Sequence, residues 1–420
     1  MEDGRPRVLI LGGGFAGVGA AHELAKADAD VVIVDEHDYH TFKPLLYQLA
    51  TGLLEQTAVG HQLRDLVKNQ PNARVHNDSI EGIDLEAREV RFSEMKPVSY
   101  DYLVLGLGAE VNFFGVQGAA EHAFPLYTLP DATRLKDHVL ERWEAADRDP
   151  SLIEDGALNV VVVGGGPTGV ETAGALAELY HGVFTKDYPD VPAGAATITL
   201  VEGGPDLFAM FKENLREYTR NALGKLQVEV RTGEVVQSVE PTRVTLKSSA
   251  VLPAHTLVWG AGLQGNQLLD GLGLELQRGK RIAVDEQLRV PSQLEVYAVG
   301  DLAAITDKKT EQVLPQLGSV ALQSGEHAGK TIARTVAGKE PKPFKYVDKG
   351  TMAAIGRGSA VVQMLGGKTM KGAKAQFAWA TVHLALLPTN EDRAKAVVDW
   401  AGAAFSHQRV GRISVHADQR

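Results

Sequence analysis

The 420-residue chain contains no cysteine. That absence removes disulfides, thiolate metal sites and every reaction that cycles a redox-active cysteine pair. Long apolar runs are missing too: none reaches the ~18 residues that a membrane-spanning helix needs. Met1–Arg7 leads straight into Val8-Leu9-Ile10-Leu11, too little apolar length for a signal peptide. The chain is therefore expected neither to be exported nor to cross a bilayer. An excess of positive charge is absent as well. The formal net charge of −10 argues against nucleic acid as a partner of the whole molecule, because phosphate binding draws on clustered Lys and Arg. The 13 histidines include no H-E-x-x-H or comparable spacing, so no metal site is expected.

What is present is glycine and a repeated pattern. The 44 glycines exceed the usual share of about 7%, and the length suggests roughly two to three domains. Charge is uneven. From Lys368 to Arg420 eight basic residues face four acidic ones, a local +4 that leaves −14 on the rest.

Two apolar runs, Val8–Leu11 and Val160–Val163, each end in glycines and lead into Ala-rich helical pattern. Val31–Val34 and Ile198–Val201 read as the parallel strands that follow. Tyr102–Ala109 and Thr256–Gly262 read as the strands that close each half. The first turn carries Gly12, Gly14 and Gly17, the second Gly164, Gly166 and Gly169, both G-x-G-x-x-G. One glycine makes the tight turn, the next lets backbone N–H groups reach a pyrophosphate, and the third lets the helix approach the strand. Asp35, followed by Glu36, ends the second strand of the first half, and Glu202 ends that of the second. Carboxylates there can accept from ribose hydroxyls. A lone fingerprint is a weak signal. Two, each with strand, helix and acidic partner, predict an α/β chain with two Rossmann-like dinucleotide-binding domains. Val296–Asp301 is a further strand ending in Gly300-Asp301, a helix is expected from about Pro315 to Val336, and Gly338, Pro341 and Pro343 open a C-terminal helical or mixed segment.

These elements resemble the flavoprotein superfamily with two dinucleotide domains. The resemblance implies FAD at the N-terminal fingerprint, held by Gly12, Gly14, Phe15, Ala16, Gly17, Asp35 and Glu36, with Ala109 and Gly300-Asp301 alongside. Asp301 as a simple cap of the next turn is compatible with that role. It implies NADH on an inserted domain, at Gly164, Gly166, Pro167, Thr168, Gly169, Glu202 and Gly262. Glu202 favours NADH over NADPH, since a carboxylate repels a 2′-phosphate. The expected boundaries are 1–115 and 266–340 for the FAD domain, 116–265 for the NADH domain and 341–420 for the C-terminal domain. Glu171, just past the second fingerprint, has two readings: a first-turn acid complementing the helix dipole, or, as the resemblance implies, a catalytic carboxylate beside nicotinamide and flavin.

With cysteine chemistry excluded, quinone, a small iron–sulfur protein and dioxygen remain as electron acceptors. His40-Thr-Phe-Lys-Pro-Leu-Leu-Tyr-Gln-Leu-Ala-Thr-Gly52 and Phe344-Lys-Tyr-Val-Asp-Lys-Gly-Thr-Met-Ala-Ala-Ile-Gly-Arg357 resemble blocks of the type II NADH:quinone oxidoreductases, as does the end of the chain, Ala375–Leu384 with Trp400 and Gln408-Arg409. The resemblance implies Lys43 and Gln48 beside the flavin and a quinone as acceptor. Ordinary loop and helix packing is the alternative for that block. One departure stands out: the family motif A-Q-x-A-x-Q falls on Gly318-Ser-Val-Ala-Leu-Gln323, with Ser319 in place of the first glutamine. Gln323, Ser319 and, one turn upstream, Gln316 are the candidate quinone-site residues. His383 and Lys374 read as a core histidine and a surface lysine.

In that family the C-terminal end seats the enzyme on a membrane, which implies a cytoplasmic protein peripheral on the inner face of the cell membrane. Here Ala394, Val397, Val398, Ala401, Ala404 and Phe405 follow a helical apolar rhythm. The alternatives for this stripe are the protein body and a second copy of the chain, a homodimer. Two other functions stay open: a reductase of a small iron–sulfur carrier, and an FAD- and NADH-binding redox sensor without turnover.

Overall fold

The structure, a computed structural model, describes residues 4–406, 409 and 411–413. Gln408 and the side chains of Ala404 and Phe405 lie outside the described residues. The chain forms two compact units, Met1–Thr41 with Gly60–Glu110 and Leu263–Val347, and Phe42–Val59 with Val111–Gly262 and Asp348–Arg420.

In the first unit Arg7–Leu11 is central to a six-stranded sheet, between Asp30–Asp35 and Tyr102–Leu105, both parallel to it. Ala73–Asn77 extends one side and Gln293–Ala298 the other, also parallel, with Arg289–Val290 antiparallel at the edge. Val8, Leu9, Ile10 and Leu11 are fully buried, as a continuous apolar run requires of a strand covered on both faces. The helix Phe15–Glu23 crosses the long helix Gly318–Val336 through small residues. A Cβ on Gly325 would stand 1.9 Å from the Ala16 carbonyl oxygen, and one on Gly329 2.4 Å from that of Ala20. This close crossing fixes the start of the long helix near the first glycine turn.

The second unit repeats the plan. Val160–Val163 lies between Ile198–Glu202 and Thr256–Trp259, with Val228–Thr232 and Phe124–Pro125 at the flanks, all parallel. Its fingerprint helix, Pro167–Leu179, starts with proline, whose fixed φ suits a first turn.

The contacts divide the chain differently from its linear reading in two places. Phe42–Val59 leaves the N-terminal part to join the second unit, and the region beyond 340 is not a domain of its own. Residues up to Val347 stay with the first unit, where the Phe344 N–H donates to the Glu286 carbonyl at 2.7 Å. Beyond them, Thr351–Gly356, Ser359–Gln363 and Thr369–Lys371 form an antiparallel sheet seated on the second fingerprint helix. Gly174 permits this: a Cβ there would lie 1.7 Å from the Ile355 carbonyl oxygen. Helices Ala373–Leu386 and Asn390–Ser406 follow. No described helix is long and apolar enough to cross a membrane.

Candidate functional site

Both glycine turns have the same internal logic. Gly12 (φ +104°) and Gly164 (φ +111°) occupy backbone space open to glycine, and a Cβ on either would strike a closing-strand carbonyl, Gly106 at 2.4 Å or Gly260 at 2.9 Å. On Gly17 or Gly169 it would stand 1.8 Å from the carbonyl oxygen of Gly12 or Gly164 respectively. The middle glycines differ. A Cβ on Gly14 or Gly166 would meet nothing within 4 Å. Protein packing therefore explains the outer glycines, while the middle one leaves the space beside the helix start open. Neither helix has a side-chain cap on its first N–H groups, with Gly14 and Gly166 at the cap positions. An uncapped helix start facing open space suits a pyrophosphate. Phe15 and Ala16 open the first helix, Pro167 and Thr168 the second.

The acidic partners are anchored to these turns. Asp35 accepts from the Gly13 N–H at 2.6 Å and from the His37 N–H at 2.8 Å. Glu202 accepts from the Gly165 N–H and the Gly204 N–H, each at 2.5 Å. Of the pair named in sequence, Asp35 alone is tied to the turn. The Glu36 side chain is 67% exposed and makes an ion-pair contact of 3.6 Å with the His37 ring. Gly300 (φ +69°) sits against the first helix, where its Cβ would be 3.3 Å from that of Ala16, and its N–H donates to Ser324 Oγ at 2.9 Å. Asp301 offers its carbonyl to Gln316 Nε2 at 3.1 Å. Ala109 is buried, and Gly262 (φ +74°) accepts from the Asn112 N–H at 3.1 Å.

Lys43 and Gln48 belong to the second unit. Lys43 Nζ lies 3.1 Å from the centre of the Tyr127 ring. Gln48 is buried, donates to the Tyr47 hydroxyl at 3.0 Å and accepts from Trp400 Nε1 at 2.7 Å. Burial pushes the Tyr47 hydroxyl well above its ordinary pKa, and the nearby Glu171 carboxylate adds to this. Trp400, 352 residues from Gln48, had no local sequence signal pairing the two.

Glu171 is partly buried and accepts from the Ala354 N–H at 3.0 Å. Burial raises its pKa to about 8, against two weaker influences, that N–H and the Trp379 indole. The carboxyl is thus mostly protonated at neutral pH, which a simple dipole-complementing acid would not be. Arg409, with a side chain only 2% exposed, donates to the carbonyls of Thr51 and Ala175 and lies 3.8 Å from Glu178. His383 is a core histidine, as its sequence context suggests. It stacks on Trp379 at 4.1 Å, and burial lowers its pKa to about 4. Lys374 is exposed.

The three candidate quinone-site residues lie at one end of the long helix. Gln323 is clamped to the Val347 backbone, donating at 3.1 Å and accepting at 3.0 Å. Gln316 is bonded to Asp301, and Ser319 Oγ lies 3.0 Å from the Tyr346 hydroxyl. Tyr346 carries no local sequence signal that pairs it with Ser319. It lies 27 positions from Ser319, across the Pro341 and Pro343 breaks. Among the described residues no group of three or more His, Asp or Glu could hold a metal ion.

A family model described as pyridine nucleotide-disulphide oxidoreductase matches residues 6–325. A type II NADH:quinone oxidoreductase of Mycobacterium tuberculosis is 32% identical, over 98% of this chain and 90% of that protein. One from Staphylococcus haemolyticus is 28% identical, over 90% and 94%. The solved structure of NDH2 from Plasmodium falciparum in complex with NADH superposes with a TM-score of 0.89 at 21% identity, covering 98% of this chain and 100% of that one, a likeness of fold. Without cysteine for the disulphide chemistry in the broad family's description, and with these relatives along nearly its whole length, the chain belongs to the type II NADH:quinone oxidoreductases, FAD-dependent enzymes that oxidise NADH.

Proposed function

We propose that FAD sits at the fingerprint of the first unit and NADH at that of the second, and that the reaction is NADH + H⁺ + quinone → NAD⁺ + quinol. The observation carrying this is the pair of equivalent cradles, each with a middle glycine whose side-chain position is open at an uncapped helix start. When bound, FAD supplies the two-electron relay between hydride donor and acceptor. The chain's own groups bind and orient. The first-turn N–H groups face the pyrophosphates, while Asp35 and Glu202, held by Gly13 and Gly165, accept from ribose hydroxyls. Glu202 selects NADH, because a 2′-phosphate would meet its charge.

Quinol formation takes up one proton from solution for each NADH. Glu171, with a pKa of about 8, carries a proton at working pH and is the candidate catalytic acid. Lys43 and Gln48 line the flavin side by resemblance. Gly300, Asp301, Ala109 and Gly262 complete the two cofactor sites.

The finer partner is an anionic membrane surface on the inner face of the cell membrane. Val397 (47% exposed), Val398 (68%) and Ala394 face outward from their helix, and Phe377 (76%) and Leu386 (48%) from the preceding one. That outward face does not rest on the protein body. Basic residues of this segment, Lys371 and Lys374 among them, favour acidic headgroups. A second copy of the chain is the competing occupant.

Steady-state NADH oxidation with a short-chain quinone, compared with ferredoxin and with oxygen alone, tests the acceptor. Quinone is expected to support the fastest turnover. Faster reduction of ferredoxin would overturn the reading in favour of an iron–sulfur carrier.

A further inference from the structure

We propose that the paired hydroxyls of Ser319 and Tyr346 are the hydrogen-bond donor for a carbonyl of the quinone, taking the place of a glutamine side chain. The inference rests on the quinone reading given above.

The two oxygens are 3.0 Å apart, and either can be the donor. Two hydroxyls carry two hydrogens, and the bond between them uses one. Whichever way it runs, one O–H remains free to donate. A quinone carbonyl only accepts, so the pair always offers what that ligand needs.

The two glutamines at this end are both bonded to the backbone. Gln316 donates to the Asp301 carbonyl. Gln323 uses its oxygen and an amide hydrogen on the Val347 main chain. That two-bond clamp makes Gln323 a positioning residue: it holds the strand of chain next to Tyr346 against the helix and so brings the phenol to Ser319. Serine alone is too short to reproduce the reach of glutamine. The phenol of Tyr346, arriving from the far side of the Pro341 and Pro343 breaks, extends it.

The pair is accessible and correctly located. Ser319 and Gly318 are exposed, and Tyr346 is half-buried. A Cβ on Gly318 would be 3.7 Å from the ring of Phe15, the first residue of the helix that opens the first cradle. A ligand reaching the hydroxyls therefore approaches the same end of the unit as the FAD cradle.

The test uses the FAD-loaded enzyme, wild type and the variants Tyr346→Phe, Ser319→Ala and Tyr346→Phe with Ser319→Gln. Three rates are measured: flavin bleaching by NADH without oxygen, steady-state reduction of a short-chain quinone, and reduction of ferricyanide, which has no carbonyl to receive a hydrogen bond. Tyr346→Phe is expected to raise the KM for quinone roughly three- to tenfold, the effect of losing one neutral hydrogen bond. Its flavin bleaching and ferricyanide rates should match wild type. Ser319→Ala should raise that KM less, since the phenol can still donate. Ser319→Gln should restore the KM in the Tyr346→Phe background, an outcome that a merely structural tyrosine would not give. An unchanged quinone KM in Tyr346→Phe, with flavin content and bleaching intact, overturns the proposal. A parallel loss of ferricyanide and NADH rates also overturns it, by assigning Tyr346 to the fold. Failure of the wild-type enzyme to reduce any quinone while NADH bleaches its flavin would instead defeat the underlying reading.

Discussion

The two fingerprint helices share Gly17 with Gly169 and Val18 with Val170, and among the positions where they differ is the one seven residues past the first glycine of each turn. In the first unit this is Gly19, where a Cβ would approach the Leu322 carbonyl oxygen to 3.0 Å. In the second it is Glu171, whose carboxyl is bonded to the Ala354 N–H and raised by burial to a pKa of about 8. The fold therefore does not need a carboxylate at this point of the motif. Where the fold decides, as at Gly17 and Gly169, the two units carry the same residue and the same 1.8 Å constraint. At this position the two units part: a glycine that lets two helices cross in the first, and in the second an acid that stays protonated near neutral pH.

The largest effect that could break this comparison comes from the middle glycines. Gly14→Val should leave a folded protein that has lost nearly all its FAD, read by flavin absorbance. Gly166→Val should keep FAD and raise the KM for NADH by about a hundredfold or more, the scale of losing several charge-assisted contacts. Exchanged outcomes would reverse the cofactor assignment. Gly17→Val and Gly169→Val should fail to fold, since their Cβ atoms meet backbone.

Next in size is Glu171→Gln. Quinone turnover should fall by about two orders of magnitude, the scale of a lost general acid, while NADH still bleaches the flavin. Wild-type turnover should decline as pH rises through about 8, and the variant should lose that limb. The same shift has a sign for stability. Between 4.5, the ordinary value, and about 8 the folded chain holds a proton that the unfolded chain has released. Stability therefore falls as pH rises across that window, and the decline should be shallower in Glu171→Gln by thermal melts.

Much of this was legible in the chain because the relevant physics is local. Val8–Leu11 and Val160–Val163 are unbroken apolar runs, and the glycine spacing, Asp35 and Glu202 lie within single strand–helix–strand units. Contacts between distant segments left no such trace. The transfer of Phe42–Val59 to the second unit depends on where a loop returns, and Pro341 and Pro343 mark a break without revealing which unit the next residues join. Gln48 and Trp400 meet across 352 residues, and Ser319 finds Tyr346 across a break. Glu36 was indistinguishable from Asp35 by position; the bond from Gly13 to Asp35 and the exposure of Glu36 separate them.

A smaller effect sharpens the assignment of the second cradle. Glu202→Arg should raise the KM for NADH roughly tenfold and lower that for NADPH, as expected when a charged hydrogen bond is lost and a phosphate partner gained. Unchanged cofactor preference would remove Glu202 from the ribose site. The smallest concerns the C-terminal helices. Val397→Asp with Val398→Asp should reduce sedimentation with anionic vesicles several-fold, an effect of lost apolar burial, and leave turnover with a water-soluble quinone unchanged. Undiminished sedimentation would assign that face to a second copy of the chain.

The most direct measurement of the central claim is sequential-mixing stopped flow on the FAD-loaded enzyme without oxygen. NADH should bleach the flavin in the first mix, and a short-chain quinone should restore its absorbance in the second, with one quinol formed for each NADH consumed. A flavin that NADH bleaches but quinone leaves reduced would contradict the account.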